Sequence, residues 1–89
     1  MTNARREPRK IVIARVQLRW EDATGAARVS TALVEDLSKN GVGIRVSQPI
    51  VAGTRIEVVG RGEAYLGDVK HCKPDGSSYF IGVYRVPAG

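Results

Sequence analysis

The sequence is poor in cysteine, in aromatic residues and in long apolar runs. Its one cysteine, Cys72, excludes an intrachain disulfide and gives no sign of an oxidising compartment. No apolar run approaches the roughly 18–20 residues that a membrane-spanning helix needs. The N-terminus carries no apolar stretch of the kind found in secretion signals. These absences predict a soluble cytoplasmic protein without membrane insertion.

Groups that could carry out catalysis or bind a metal are equally sparse. The single histidine, His71, precedes Cys72 on a predicted strand, so the two side chains point to opposite faces and cannot readily share a metal. The carboxylates Glu57, Glu63 and Asp68 are scattered among basic residues without acid–base pairing. We therefore expect the chain not to be an enzyme, and we expect neither a metal nor a cofactor.

The size and charge of the chain favour one small domain with an anionic partner. Its 89 residues leave too little core for a second domain. Lysine and arginine outnumber aspartate and glutamate by 14 to 9, which favours a nucleotide, a nucleic acid or an acidic protein surface as the partner. The excess is concentrated near the start of the chain, in Arg5, Arg6, Arg9 and Lys10.

Hydrophobic alternation predicts an all-β fold. Between residues 11 and 20, apolar side chains share one face of a strand, namely Val12, Ala14, Val16, Leu18 and Trp20. Alternation and turn signals place strands at about residues 11–20, 27–35, 42–46, 54–59, 63–72 and 78–86. Six short strands at such spacings indicate a six-stranded antiparallel β-barrel over residues 11–86. Residues 1–10 are predicted to form a flexible arm that binds the ligand.

Two arginines in this arm, Arg5 and Arg9, are candidate ligand-binding residues. A guanidinium offers a flat fork of donors that matches the oxygens of a phosphate or the O6 and N7 edge of guanine. Its flat face can also stack on a purine. The alternative is an ordinary solvated basic tail.

A second candidate site is the predicted loop Asp36–Gly41. Asp36 can accept hydrogen bonds from N1 and N2 of guanine, and Ser38 can bond the same edge or a phosphate. Gly41 can adopt a positive φ and lets a base approach the backbone. The alternative is an ordinary strand connection, in which Asn40 and Gly41 form a favoured turn pair.

The two motifs occur together, in an order that resembles the PilZ domain family. That family reads R-x-x-x-R and then (D/N)-x-S-x-x-G, here Arg5 and Arg9 followed by Asp36, Ser38 and Gly41. The resemblance implies a six-stranded barrel that binds the bacterial second messenger cyclic di-GMP. It implies that the two arginines bind the phosphates and the Hoogsteen edge of a guanine. The other three residues would surround a guanine from the barrel surface.

Three further residues are secondary ligand-binding candidates. Arg6 and Lys10 lie inside or beside the first motif, and Asn40 lies inside the second. Whether one nucleotide or a stacked pair binds is left open.

The leading interpretation is a cyclic di-GMP sensor or adaptor. Its N-terminal arm would change conformation on binding, and the signal would pass to a partner protein. The alternative is a basic barrel that binds single-stranded nucleic acid. Nucleic acid is not the expected partner, because aromatic residues do not alternate with lysines on one strand face. A third possibility is a barrel that serves mainly as a protein adaptor.

Overall fold

Six antiparallel strands form the structure, a computed structural model that describes residues 10–87 and side chains from residue 13 onward. The strands are β1 (Lys10–Glu21), β2 (Ala27–Leu37), β3 (Gly41–Val46), β4 (Arg55–Gly60), β5 (Glu63–Asp75) and β6 (Ser78–Arg85). They close into a barrel in the order β1-β2-β3-β6-β5-β4. The predicted six-stranded antiparallel barrel is therefore confirmed. No helix that could cross a membrane occurs within the described residues.

The barrel interior is filled by one side of the alternating pattern. Val16, Leu18 and Trp20 of β1 are buried, as their spacing predicts. They pack with residues from the other strands and from the connection before β4, namely Ala32, Val34, Ile44, Val46, Ile50, Ile56, Val58, Val69, Ile81 and Val83. Ala14 was expected on the same face but is exposed. The register shift between β1 and β2 lies before this residue, between Ile11 and Ala14, and Ala14 pairs in regular register with Val34. Ala14 therefore keeps the period of two and is the first described residue of the inward row, where its side chain is still exposed.

Two strands extend by two residues or more beyond their predicted ends. β2 continues to Leu37 instead of ending near residue 35, because Leu37 still finds backbone partners in Lys10 of β1 and Val42 of β3. Lys10 consequently belongs to β1 and not to the predicted arm, whose residues 1–9 lie outside the described part of the chain. β5 likewise runs on to Asp75, and its hairpin turns at Gly76, which has a positive φ of 66°.

Candidate functional site

The connection between β2 and β3 is shorter than the sequence predicts. Asp36 still belongs to β2 and Gly41 already belongs to β3, so the loop proper consists of residues 38–40. The Ser38 amide donates to the carbonyl of Gly41 at 2.9 Å, and the Ser38 hydroxyl reaches the same oxygen at 3.4 Å. The hydroxyl of Ser38 therefore stabilises the turn itself, whereas Asp36 lies on β2, before the turn.

Gly41 has a different role from the one expected. The described residues with positive φ do not include it, because it opens a regular strand. A β-carbon at Gly41 would lie 2.5 Å from the carbonyl oxygen of Val83 and 3.1 Å from Cδ1 of Tyr84 on the paired strand β6. Glycine is required here by the close approach of β6 and not by an unusual backbone conformation.

A groove of about 710 Å³ lies on the outer surface of β2, β3, β6 and β5. Asp36, Ser38 and Gly41 all line it, so the second predicted motif is brought together at one site. Its other lining residues include Gly43, Arg45, His71, Phe80, Gly82 and Tyr84. This volume falls in the range of about 300–1,000 Å³ that is usual for small-molecule sites.

The remaining candidates lie elsewhere or outside the description. Asn40 is exposed and lines a smaller cavity of about 250 Å³, which does not include Asp36. Arg5, Arg6 and Arg9 lie outside residues 10–87, and only the backbone of Lys10 is described.

The start of β1 lies next to the groove. Lys10 pairs with Leu37, and Ile11 pairs with Asp36. The chain therefore enters the barrel directly beside the carboxylate of the second motif. An arm that precedes Lys10 has its attachment point at the rim of the groove.

A continuous row of paired residues forms the floor of the groove. Asp36 of β2 pairs with Gly43 of β3, Gly43 pairs with Gly82 of β6, and Gly82 pairs with His71 of β5. Neighbouring strands are separated by about 4.8 Å, so two adjacent glycines leave a gap in the outer layer of side chains. The groove is thus a trough between a carboxylate and an imidazole.

Side chains from both sides reach over these glycines. A β-carbon on Gly43 would collide with Cζ of Phe80 and would lie 2.7 Å from Oδ1 of Asp36. A β-carbon on Gly82 would collide with Nε2 of His71. The two glycines therefore let a carboxylate, a phenyl ring and an imidazole lie close against the sheet.

The end of the groove near the β5–β6 hairpin is held by Arg45. Its guanidinium bonds Glu35 through Nε at 2.8 Å and Nη2 at 3.0 Å, and Nη2 also bonds Asp75 at 3.1 Å. Nη1 donates to the hydroxyl of Ser78 at 3.0 Å. The hydrogen bonds from Arg45 lower the pKa of Glu35, and those to Glu35 and Asp75 raise the pKa of Arg45. With two carboxylate partners, Arg45 is a structural clamp and not an available phosphate ligand.

At the opposite end of the groove, Tyr84 packs against Gly41. The phenol is about half exposed, and Nζ of Lys70 lies 5.8 Å from the centre of its ring. Lys73 also lines the groove and is exposed, but it lies at the Arg45 end, because it pairs with Phe80. The Tyr84 end therefore offers an exposed ring with one lysine, Lys70, beside it.

Sequence reasoning missed the β5 and β6 side of the groove. The sequence pattern indicates of His71 only that it cannot readily share a metal with Cys72, and it does not single out Phe80. A signal was nevertheless present, because Gly41 and Gly43 are two residues apart and Gly82 lies between two aromatic positions on its strand. Glycines at outward positions inside strands indicate a close approach by another group. Their alignment into one row required the register of β3, β5 and β6, which alternation does not give.

Comparison with known proteins adds no relative to this description. The chain matches no protein-family model, and no curated protein matches it.

Proposed function

We propose that the groove binds cyclic di-GMP and that the protein is a sensor or adaptor, not an enzyme. In this proposal the N-terminal arm changes conformation when the nucleotide binds, and the altered surface is recognised by a partner protein. The observation that carries the proposal is the position of Asp36. Its carboxylate lies in an open groove with Ser38 and Gly41, directly beside the point where the arm joins β1.

The chemistry of the groove suits a guanine base. A carboxylate accepts hydrogen bonds from N1 and N2 of guanine, whereas adenine has no donor at either position. Asp36 reaches over Gly43, so its Oδ1 lies above the strand backbone and near the open trough. Because Gly43 and Gly82 carry no β-carbon, the side chains that cover them lie close to the sheet, and a planar base would bind above these side chains.

The phosphates require cations that the described groove supplies only in part. Arg45 is committed to Glu35 and Asp75. We propose that Arg5 and Arg9 provide the missing guanidiniums, because the arm is attached at the rim of the groove. Charge-assisted hydrogen bonds of this kind contribute about 1.5–3 kcal/mol each.

Single-stranded nucleic acid is the second candidate ligand. The exposed ring of Tyr84 lies near Lys70, and Phe80 lies on the same strand, so bases could stack beside lysines. Against this, the guanidinium of Arg45 at the hairpin end of the groove is bound to Glu35 and Asp75 and is not available to a long phosphate backbone. The net charge of +5 supports both candidates equally.

Calorimetry with each ligand at about 0.15 M salt tests the proposal. We expect saturable binding of cyclic di-GMP and little affinity for a short single-stranded oligonucleotide. Arg9→Ala should nearly abolish binding, and Asp36→Ala should weaken it by roughly 10- to 150-fold through the loss of charge-assisted bonds.

Two matched controls remove the same charges elsewhere. Arg61→Ala changes an exposed arginine between β4 and β5, and Glu57→Ala changes a carboxylate on β4, outside the groove. Both variants should bind cyclic di-GMP like the parent protein. Equal affinities for Arg9→Ala and Arg61→Ala would refute the role of the arm. Oligonucleotide binding without cyclic di-GMP binding would establish the second candidate.

A further inference from the structure

The imidazole of His71 lies in close contact with the backbone of Gly82 on the neighbouring strand. A β-carbon placed on Gly82 would collide with Nε2 and would lie 2.6 Å from Cε1 and 2.9 Å from Cδ2. These two carbons flank Nε2 in the ring. If the imidazole pointed at Gly82 edge-on, both carbons would be about one bond length farther away than Nε2. The ring therefore lies nearly flat over Gly82.

The opposite face of this ring is accessible. His71 is exposed and lines the groove, so its outer face is directed away from the sheet. The ring lies over Gly82, which is one strand from Gly43 and two strands from Asp36 in the row of paired residues. A flat, exposed aromatic face in a groove is a surface on which a base can stack.

A purely structural explanation accounts for only one face of the ring. Aromatic side chains often cover a glycine on a neighbouring strand and shield its backbone. That role fixes the inner face of the imidazole against Gly82, but it gives no reason for an open volume above the outer face. Phe80 already shields the neighbouring Gly43, and its tip borders the same volume.

We propose that His71 is a stacking residue for one purine base of the ligand, with its imidazole held in place by Gly82. This inference rests on the proposed function, because it concerns the same groove. In this arrangement the base lies parallel to the sheet, on the imidazole, at the β5 side of the trough. Gly82 positions the ring, since any larger residue would lift the imidazole from the sheet.

Affinity measurements on His71 variants separate stacking from hydrogen bonding. His71→Ala should weaken cyclic di-GMP binding by about 5- to 150-fold, the usual loss for one base–aromatic stack. His71→Phe should retain most of the affinity, because it keeps a flat ring. His71→Gln should behave like the alanine variant, because it keeps a polar group without an aromatic face. Leu66→Ala removes an exposed apolar side chain from the same strand outside the groove and should have no effect.

Proton NMR of the parent protein gives an independent readout. The chain has a single histidine, so the Hδ2 and Hε1 resonances of the imidazole need no further assignment. A base stacked on the ring should shift both resonances upfield as cyclic di-GMP is added. A histidine that only covers Gly82 would show no such shift.

The outcomes separate this inference from the proposed function. If the parent protein does not bind cyclic di-GMP, both are wrong. If it binds and Arg9→Ala abolishes binding, but the imidazole resonances stay in place and His71→Ala binds normally, the stacking role alone is wrong. If His71→Ala fails to fold, the NMR titration of the parent protein decides.

Discussion

The two faces of the barrel differ in the residues that occupy the outward positions of their strands. On the groove face, formed by β2, β3, β6 and β5, glycines occupy outward positions 41, 43 and 82, whereas Gly67 of β5 faces the core residue Val83. On the closed face, formed by β1 and β4, the last residue of β4, Gly60, is the one glycine. There Gln17 pairs with Val59 and Arg19 pairs with Glu57, so side chains cover the sheet. The groove therefore arises from missing side chains in one row and not from a gap in the core.

The ion pairs of the two faces differ in the same way. Arg45 joins residues of all four groove strands, because its partners are Glu35 of β2, Asp75 of β5 and Ser78 of β6. Its side chain is 30% exposed. Beside the closed face, Arg55 of β4 makes one pair, with Asp68 of β5 at 2.6 Å, and is 57% exposed. The groove face is thus held at one end by a single arginine that binds several strands. Beside the closed face, the arginine of β4 binds one carboxylate only.

The largest effect expected from this comparison concerns one glycine on each face. Gly41→Ala should destabilise the fold by about 1–3 kcal/mol, because the new β-carbon would lie 2.5 Å from a backbone oxygen of Val83, which cannot move aside freely. Gly60→Ala should be neutral or stabilising, since its nearest neighbour is a side-chain carbon of Val16 at 3.6 Å and its φ is not positive. Urea denaturation of both variants measures the difference. Equal midpoints would show that the close approach of β6 is not needed for the groove face.

The clamp on the groove face should matter more than the pair beside the closed face. Arg45→Ala removes bonds to three other strands and leaves Glu35 and Asp75 without their shared partner. We expect it to lower the midpoint of thermal unfolding by several degrees. Arg55→Ala should lower this midpoint only slightly, because exposed ion pairs contribute little. Differential scanning calorimetry of the two variants measures both midpoints. A larger decrease for Arg55→Ala than for Arg45→Ala would show that the Arg45 network does not stabilise the groove face.

The sequence predicted the barrel well because both signals that specify it are local. Alternation identified Val16, Leu18 and Trp20 as an inward row, and the turn at Gly76 was visible in the residues that precede it. The exposure of Ala14 was not predictable from alternation, because this residue keeps the period of the inward row and pairs in regular register with Val34.

The site was predicted only on one side. Asp36, Ser38 and Gly41 are close in sequence, so a motif could identify them before any register was known. His71 lies 35 positions after Asp36 and reaches the same row through three strand pairings. A contact that depends on the register of three strand pairs cannot be predicted from the spacing of residues in the sequence.

The smallest expected effect is the pH dependence of the clamp. Because hydrogen bonds from Arg45 lower the pKa of Glu35 below its ordinary value of 4.5, the ionised carboxylate stabilises the folded state. This contribution is present above pH 4.5 and is lost as the pH falls through the lowered pKa. Glu35→Gln should therefore be less stable than the parent protein near pH 7, and the difference should shrink as the pH falls below 4.5.

Asp68→Asn provides the matched comparison beside the closed face, because Arg55 also lowers the pKa of Asp68. Hydrogen bonds from Thr24 and Arg28 lower the pKa of Asp22. Asp22 is present in both variants, so it contributes the same loss of folding stability at low pH to each. We expect a smaller loss at neutral pH for Asp68→Asn, since its arginine is more exposed than Arg45. Urea titrations between about pH 2 and pH 7 measure both curves. If the unfolding free energies of Glu35→Gln and of the parent protein changed in parallel with pH, the folded state would not favour the ionised form of Glu35. The stability of this end of the groove would then not depend on that charge.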